Sequence, residues 1–450
     1  MTAAEPSAGK IHALIDSELK EKLQELRQTD NYTNFFYLAR AYLFLAVVIG
    51  GTLWFYYWQI TAGVSFWWNV PVTLVAILLI GAGQHQLSGL THEAAHHILF
   101  RNRYLNDLIS DWFCSFPLFS TTHHYRLQHL AHHQFVNDPL RDPDLAQMQA
   151  SGHWLDFPIT GAQFFRTLLK QAWLPNLVRY MRIRGRYAAM PDVNNPYRRK
   201  DWQPSQVLVR VGIAYMLGLI GLLAALVWLG NPVLLAVLPT VCWLGILVFY
   251  ALVPERLYSQ HRIHPVISTR HMTLMRMTFI SALFSGLAWI TLLTGAWAAA
   301  YFFLLWIVPI FTSFSFLMML RQLVQHGNGG RGWLTNTRIF LVNQMIKFSV
   351  FPIGQDYHLP HHLFATVPHY RLRRLHEILL ANPEYRKEAV VVEGYFLHRE
   401  EPPVRPTVVD VLGPAYAPPD SQEAYIDDTV LEGERVEEKE EILRAGRSSS

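Results

Sequence analysis

The chain reads as an all-α integral membrane protein, with four to six transmembrane helices and a cytosolic helical cap that holds a two-metal site. Three observations predict this class. Long uncharged apolar stretches recur along 450 residues that are 51% hydrophobic and 13% aromatic. Their connections alternate between basic and non-basic, and three histidine clusters fall where that alternation brings them to one membrane face.

Six apolar segments can be drawn, at residues 41–60, 67–84, 211–229, 233–253, 277–294 and 298–320. The first and third carry no charge and match the thickness of a bilayer core at about 1.5 Å per helical residue. A soluble core helix rarely stays apolar on every face for that long. The fifth is short and reads either as a span or as a re-entrant segment. If 277–320 is re-entrant, four spans remain and the parity is unchanged.

The short connections TAGVSFWWNV (61–70), GNP (230–232) and TGAW (294–297) contain no Lys or Arg. The segment 254–276 carries Arg256, Arg262, Arg270 and Arg276, and the stretch 101–205 carries many more. Basic residues mark the cytoplasmic side, so the short loops are expected outside, with both termini and the histidine clusters inside. Trp54, Tyr56, Tyr57 and Trp58, followed by Trp67 and Trp68, suit the aromatic belt of the outer interface.

Outside the spans, residues 1–35 form a cytosolic or interfacial segment without the pattern of a cleaved signal peptide. Ile15, Leu19, Leu23 and Leu26 recur there at helical spacing, predicting a helix on the membrane surface or on the cap. Residues 36–380 form the membrane domain, and 381–419 a cytosolic extension with a Pro-rich linker. Residues 420–450 hold ten acidic and four basic side chains, a net of −6, and are expected to be disordered.

HEAAHH (92–97) matches a zinc-protease pattern, two histidines four apart with Glu93 between them. The other clusters, HYRLQHLAHH (124–133) and YHLPHH (357–362), share the HxxHH spacing. On a helix, positions i, i+3 and i+4 share a face, so His129, His132 and His133 converge, as do His92 and His96. Pro360 fits a helix only in its first turn and places His358 at or just before the helix start. His326, in RQLVQHGNGG, lies at the same depth; from the residues alone it is as readily a helix-end histidine as a ligand.

Eight clustered histidines exceed the four ligands of a closed zinc site, so two metals are implied. Imidazole suits Zn, Cu, Fe or Ni and does not choose among them. An apolar, lipid-adjacent setting favours oxygen activation by iron over hydrolysis. The remaining histidines, including His85, His261 and His369, read as ordinary polar or helix-end residues. Only Cys114 and Cys242 are present, which excludes a disulfide framework and an iron–sulfur cluster.

At these residues the chain resembles the membrane fatty acid desaturase family, with its three histidine boxes and a lone histidine before the third. The resemblance extends through NDPLRDPDLA after the second box, GWLTNTR (332–338) and HLFATVPHYRLRRLH, and covers roughly residues 85–376. It implies a di-iron site with His92, His96, His129, His132, His133, His326, His358, His361 and His362 as ligands. His97 is an alternative to His96, and His124 a further possible ligand. Glu93, Asp142, Asp144 and Asp356 are implied as partners for the outer N–H groups of ligating histidines; for Asp142 and Asp144 the sequence RDPD also reads as a turn. Pro360, Gln355 and Asp356 depart from the residues common in related members.

The resemblance implies a dioxygen-dependent enzyme that introduces a double bond into a fatty acyl chain. Electrons would come from a separate donor such as a ferredoxin or a small haem protein. No role for nucleic acid is expected. A hydroxylase or ketolase of the same superfamily is the nearest alternative; an intramembrane zinc protease and a histidine-rich metal transporter or sensor are more distant ones. The position of the histidines at one membrane edge argues against a transport path.

Overall fold

The computed structural model describes residues 17–189, 195–199, 202, 205–398 and 401–418. The acidic tail expected from Asp420 and the Ile15 position of the N-terminal pattern lie outside the described residues. Among the described residues, six helices are long and apolar enough to cross a membrane: Thr33–Thr61, Phe66–Ala95, Val207–Leu229, Pro232–Leu252, Thr269–Thr294 and Ala298–His326. The protein is therefore an all-α, multi-pass membrane protein.

The fifth span begins eight residues before the apolar run drawn from sequence, because Thr269–Met277 continues the same helix despite Arg270 and Arg276. At 26 residues it is long enough to cross, so a re-entrant segment is not needed. The second and sixth spans also run past their apolar segments, to Ala95 and His326, and these polar extensions carry the first box and the lone histidine into the cap.

Along the spans Val47, Leu78, Leu217, Val241 and Leu293 point outward and are exposed, as expected where the surrounding solvent is lipid. Trp67, Trp228 and Trp297 mark the three short loops, and all three are more than 70% exposed, forming a belt at that end. The second and sixth spans approach closely at Gly81, where a Cβ would lie 2.6 Å from the Phe314 nitrogen. Within the sixth span two π-helical turns, Phe303–Ile307 and Ile310–Phe314, flank Pro309. Proline has no N–H and crowds the carbonyl four residues earlier, so the ladder widens around it.

The cap is built at the other end, from the helices Arg103–Ser110, Thr122–Gln134, Pro143–Ser151, Gly161–Gln171 and Leu174–Ala189, joined by His358–Leu363 and Leu372–Leu379. One small element departs from an all-α reading: β1 (Ile339–Leu341) pairs in parallel with β2 (Val391–Glu393). Three-residue strands of apolar residues are hard to distinguish from loops by periodicity. The N-terminal helix Ser17–Leu26 buries Leu19, Leu23 and Leu26 in one cluster with Leu372, Leu375 and Leu379. Of the two placements its sequence allows, it takes the cap.

Arg126 fastens the cap to the second span. Its guanidinium donates to both Asp107 oxygens, at 3.0 and 2.5 Å, and to the carbonyls of Ala94 and Ala95. The last carbonyls of a helix lack intrahelical partners, and here a buried arginine supplies them.

Candidate metal centre

Nine of the predicted histidines meet in two adjacent groups. His92, His96, His129, His133 and His361 form one, with one ring nitrogen of each within 4.8 Å of all the others; His132, His326, His358 and His362 form the second by the same measure. The rings of His133 and His362, one from each group, stack at 4.2 Å between centroids.

Local helix geometry explains the division. His129 and His133 are four apart and share a face, while His132 is turned by about 100° from His133 and enters the other group. The sequence reading put all three in one volume; the face is wide enough to serve two centres. The third box divides in the same way. His358 opens its helix, with Pro360 in the first turn, and pairs with His362 four residues on; His361 faces the first group.

His96 and His97 are separated by the end of a helix. The second span stops at Ala95, His96 caps it and stays in the first group, and His97 has a left-handed φ of 57°. That conformation directs His97 to Asp107, with Nδ1 3.9 Å from Oδ1 and outside both groups. His124 also lies outside, beside His123 and His261.

Within the groups the Nε2 atoms face each other. His96–His129 is 2.8 Å, His133–His129 and His133–His361 are 3.1 Å, His326–His358 is 3.0 Å and His362–His358 is 3.1 Å. Two nitrogens each about 2.1 Å from one metal and at right angles to it are about 3 Å apart, so the spacing fits ligation. Burial, then neighbouring imidazoles, hold His129, His133, His361 and His362 well below the usual histidine pKa. Neutral imidazole is the form that ligates.

The outer nitrogens are oriented selectively. His132 Nδ1 lies 2.9 and 3.1 Å from the two Asp142 oxygens. Burial alone would lower the His132 pKa, but Asp142, with Asp144 behind it, raises it instead. The Asp142 carboxylate also accepts the Asp144 and Leu145 backbone N–H groups as N-cap of the next helix, so RDPD is both a helix start and a histidine partner. Glu93 Oε1 is 3.5 Å from His92 Nδ1, and its other oxygen accepts the His369 backbone N–H at 2.9 Å. The remaining two carboxylates engage other groups: Asp144 accepts from Gln322 at 2.9 Å and Asp356 from Lys347 at 2.7 Å.

Some partners carry no spacing signal. His326 Nδ1 lies 3.2 Å from the Asn336 carbonyl, which also accepts from Asn137 at 2.9 Å, so GWLTNTR and NDPLRDPDLA meet behind the second group. Gln355 Nε2 sits 3.1 Å from the His92 ring nitrogens, and Tyr125 stacks on His129 with centroids 5.4 Å apart. Arg321 had an available signal, a lone charge just past an apolar run, where intramembrane charges mark function.

The chain is 25% identical over 405 residues to the dihydrorhizobitoxine desaturase of Bradyrhizobium elkanii, covering 88% of each chain. It is 30% identical over 129 residues to the Delta(5) fatty acid desaturase fat-4 of Caenorhabditis elegans, covering 29% of this chain and 26% of that relative. The fatty acid desaturase family profile matches residues 65–286 and 252–393, a range that holds both histidine groups, and the chain belongs to that family.

Proposed function

We propose that the protein is a dioxygen-dependent di-iron desaturase that forms a double bond in an aliphatic chain, a fatty acyl lipid being the general case for the family. The observation that carries this reading is the pair of buried all-histidine groups in a protein of the desaturase family. A donor set of nine imidazoles fits two borderline-soft metal ions and includes no carboxylate ligand. Bound there, iron supplies dioxygen activation and hydrogen removal from unactivated carbon.

The chain's own residues set the conditions. Asp142 fixes the ring and tautomer of His132, and the Asn336 carbonyl does the same for His326. Tyr125 holds the plane of His129. Burial of all nine rings keeps bulk water from the reacting carbon. In balance, the substrate loses two hydrogens, and dioxygen with two electrons and two protons leaves as two waters. The electrons are assigned to a separate ferredoxin or small haem protein, and the basic cap and linker loops suit an acidic donor. Their basic character also supports a cytoplasmic position for the cap and both termini.

Expression in a host of known lipid composition, with lipid analysis of the wild type and His129→Ala, tests the reaction. A product two hydrogens lighter in the wild type only, with about two irons per chain, supports it. A product with one added oxygen makes the protein a hydroxylase; turnover without dioxygen, abolished by zinc removal, makes it a protease.

A further inference from the structure

Beside the two histidine groups lies a buried cluster of polar residues whose central charge the proposed chemistry does not use. Its centre is Arg321, on the sixth span, with 6% of its surface exposed. Among the described residues, the two other arginines with less than a tenth of their surface exposed are satisfied: Arg126 by Asp107 and two carbonyls, Arg338 by the carbonyls of Val324 and Gly327. Arg321 Nε, by contrast, is buried with no hydrogen-bond partner. An arginine in a low-dielectric interior keeps its charge, and leaving its donors unused is costly.

Four polar residues surround its charge. Tyr125, Arg184, Asp144 and Tyr180 are the electrostatic neighbours of Arg321. Each comes from a different helix or pairs with a second polar residue on the same face: Tyr180 and Arg184 are four apart on Leu174–Ala189, and Tyr125 and Gln128 three apart on Thr122–Gln134. Gln128 Nε2 is a second buried donor without a partner. Asp144 is drawn partly away, since it already accepts from Gln322 at 2.9 Å. Arg321 and Arg184 thus share one carboxylate neighbour, Asp144, an excess of one positive charge, and the unpartnered Arg321 atom is a donor.

Arg321 also reaches the metal centre electrostatically. His92 of the first group and His132 and His358 of the second all have it as a charged neighbour. A ligand held by Arg321 therefore lies within electrostatic range of both groups.

We propose that Arg321 binds the carboxylate of the substrate, so that the protein desaturates a carboxylic acid close to its acid group, not an acyl chain at its middle. This rests on the desaturase reading and narrows its substrate class. The excess charge and the planar fork of arginine match one carboxylate. A binding surface shaped only for methylenes has no use for a buried guanidinium nitrogen without a partner.

Hexanoate and hexanamide serve as matched probes against the full-length protein in lipid nanodiscs, read by thermal shift. Hexanoate is expected to raise the melting temperature of the wild type and hexanamide not to, with the hexanoate response lost in Arg321→Gln and partly kept in Arg321→Lys. Loss of a charge-assisted contact should weaken hexanoate binding about ten- to hundred-fold in Arg321→Gln. Equal response to acid and amide, or a hexanoate response retained by a folded Arg321→Gln that keeps its iron, overturns the proposal. The second result would mean that the acid binds the metals directly. Failure of the broader reading looks different: hexanoate binds through Arg321, but no carboxylic acid or lipid loses hydrogen with dioxygen and reductant.

Discussion

His132 Nδ1 and the Asp142 carboxylate are 2.9 Å apart, and the same carboxylate caps the helix Pro143–Ser151. One residue thus couples the placement of a helix to the tautomer of a histidine. Asn in place of Asp142 keeps a good cap but removes the charge. Asp142→Asn is expected to retain the fold, with melting temperature little changed, and to lower metal affinity about 10- to 100-fold, measured as iron per chain after dialysis against a graded chelator.

His96 and His97 are adjacent in sequence, yet only His96 lies in a histidine group. His96→Ala is expected to lose iron and activity together. His97→Ala keeps its iron stoichiometry, because its ring is directed at Asp107. Elemental analysis of the two purified variants separates these outcomes, and equal loss would contradict the geometry.

Arg126 joins the end of the second span to the cap through Asp107 and two carbonyls. Removing one partner of a buried ion pair leaves the other charge uncompensated, at about 3–5 kcal/mol. Arg126→Ala should therefore lower the thermal midpoint sharply and reduce yield. Asp107→Asn should cost less, because the two backbone carbonyls still receive the guanidinium.

Two histidines outside the two histidine groups predict an acid sensitivity. Burial first, and a neighbouring group second, pushes His261 down to about 3 and His124 down to about 4. Their folded pKa values lie below the unfolded value, so the unfolded chain binds more protons between these limits. The stability they contribute is full above about pH 6.5 and falls as pH drops below it, by up to about 1.4 kcal/mol per unit for each. A pair of thermal scans at pH 7 and pH 5 should show a smaller loss for His261→Gln than for the wild type.

Much of the architecture was legible in one sequence because its determinants are local or additive. Uncharged runs of span length and the placement of basic residues act through bilayer thickness and charge, neither of which needs tertiary contacts. The same holds for the nine histidines, whose helical spacing and span parity brought them to one end. The extent of the fifth span was less legible, since its first turns carry Arg270 and Arg276 and look like a loop.

What the chain alone determined is a multi-span helical protein with three histidine boxes at one face. Which histidine joins which group was decided only in three dimensions, by helix phase at His132 and His361 and by the helix end between His96 and His97. The partners of those histidines, and the unpaired Arg321 beside them, depend on contacts between segments far apart in sequence. Spacing carries no information about such contacts, because they arise only when separate helices pack.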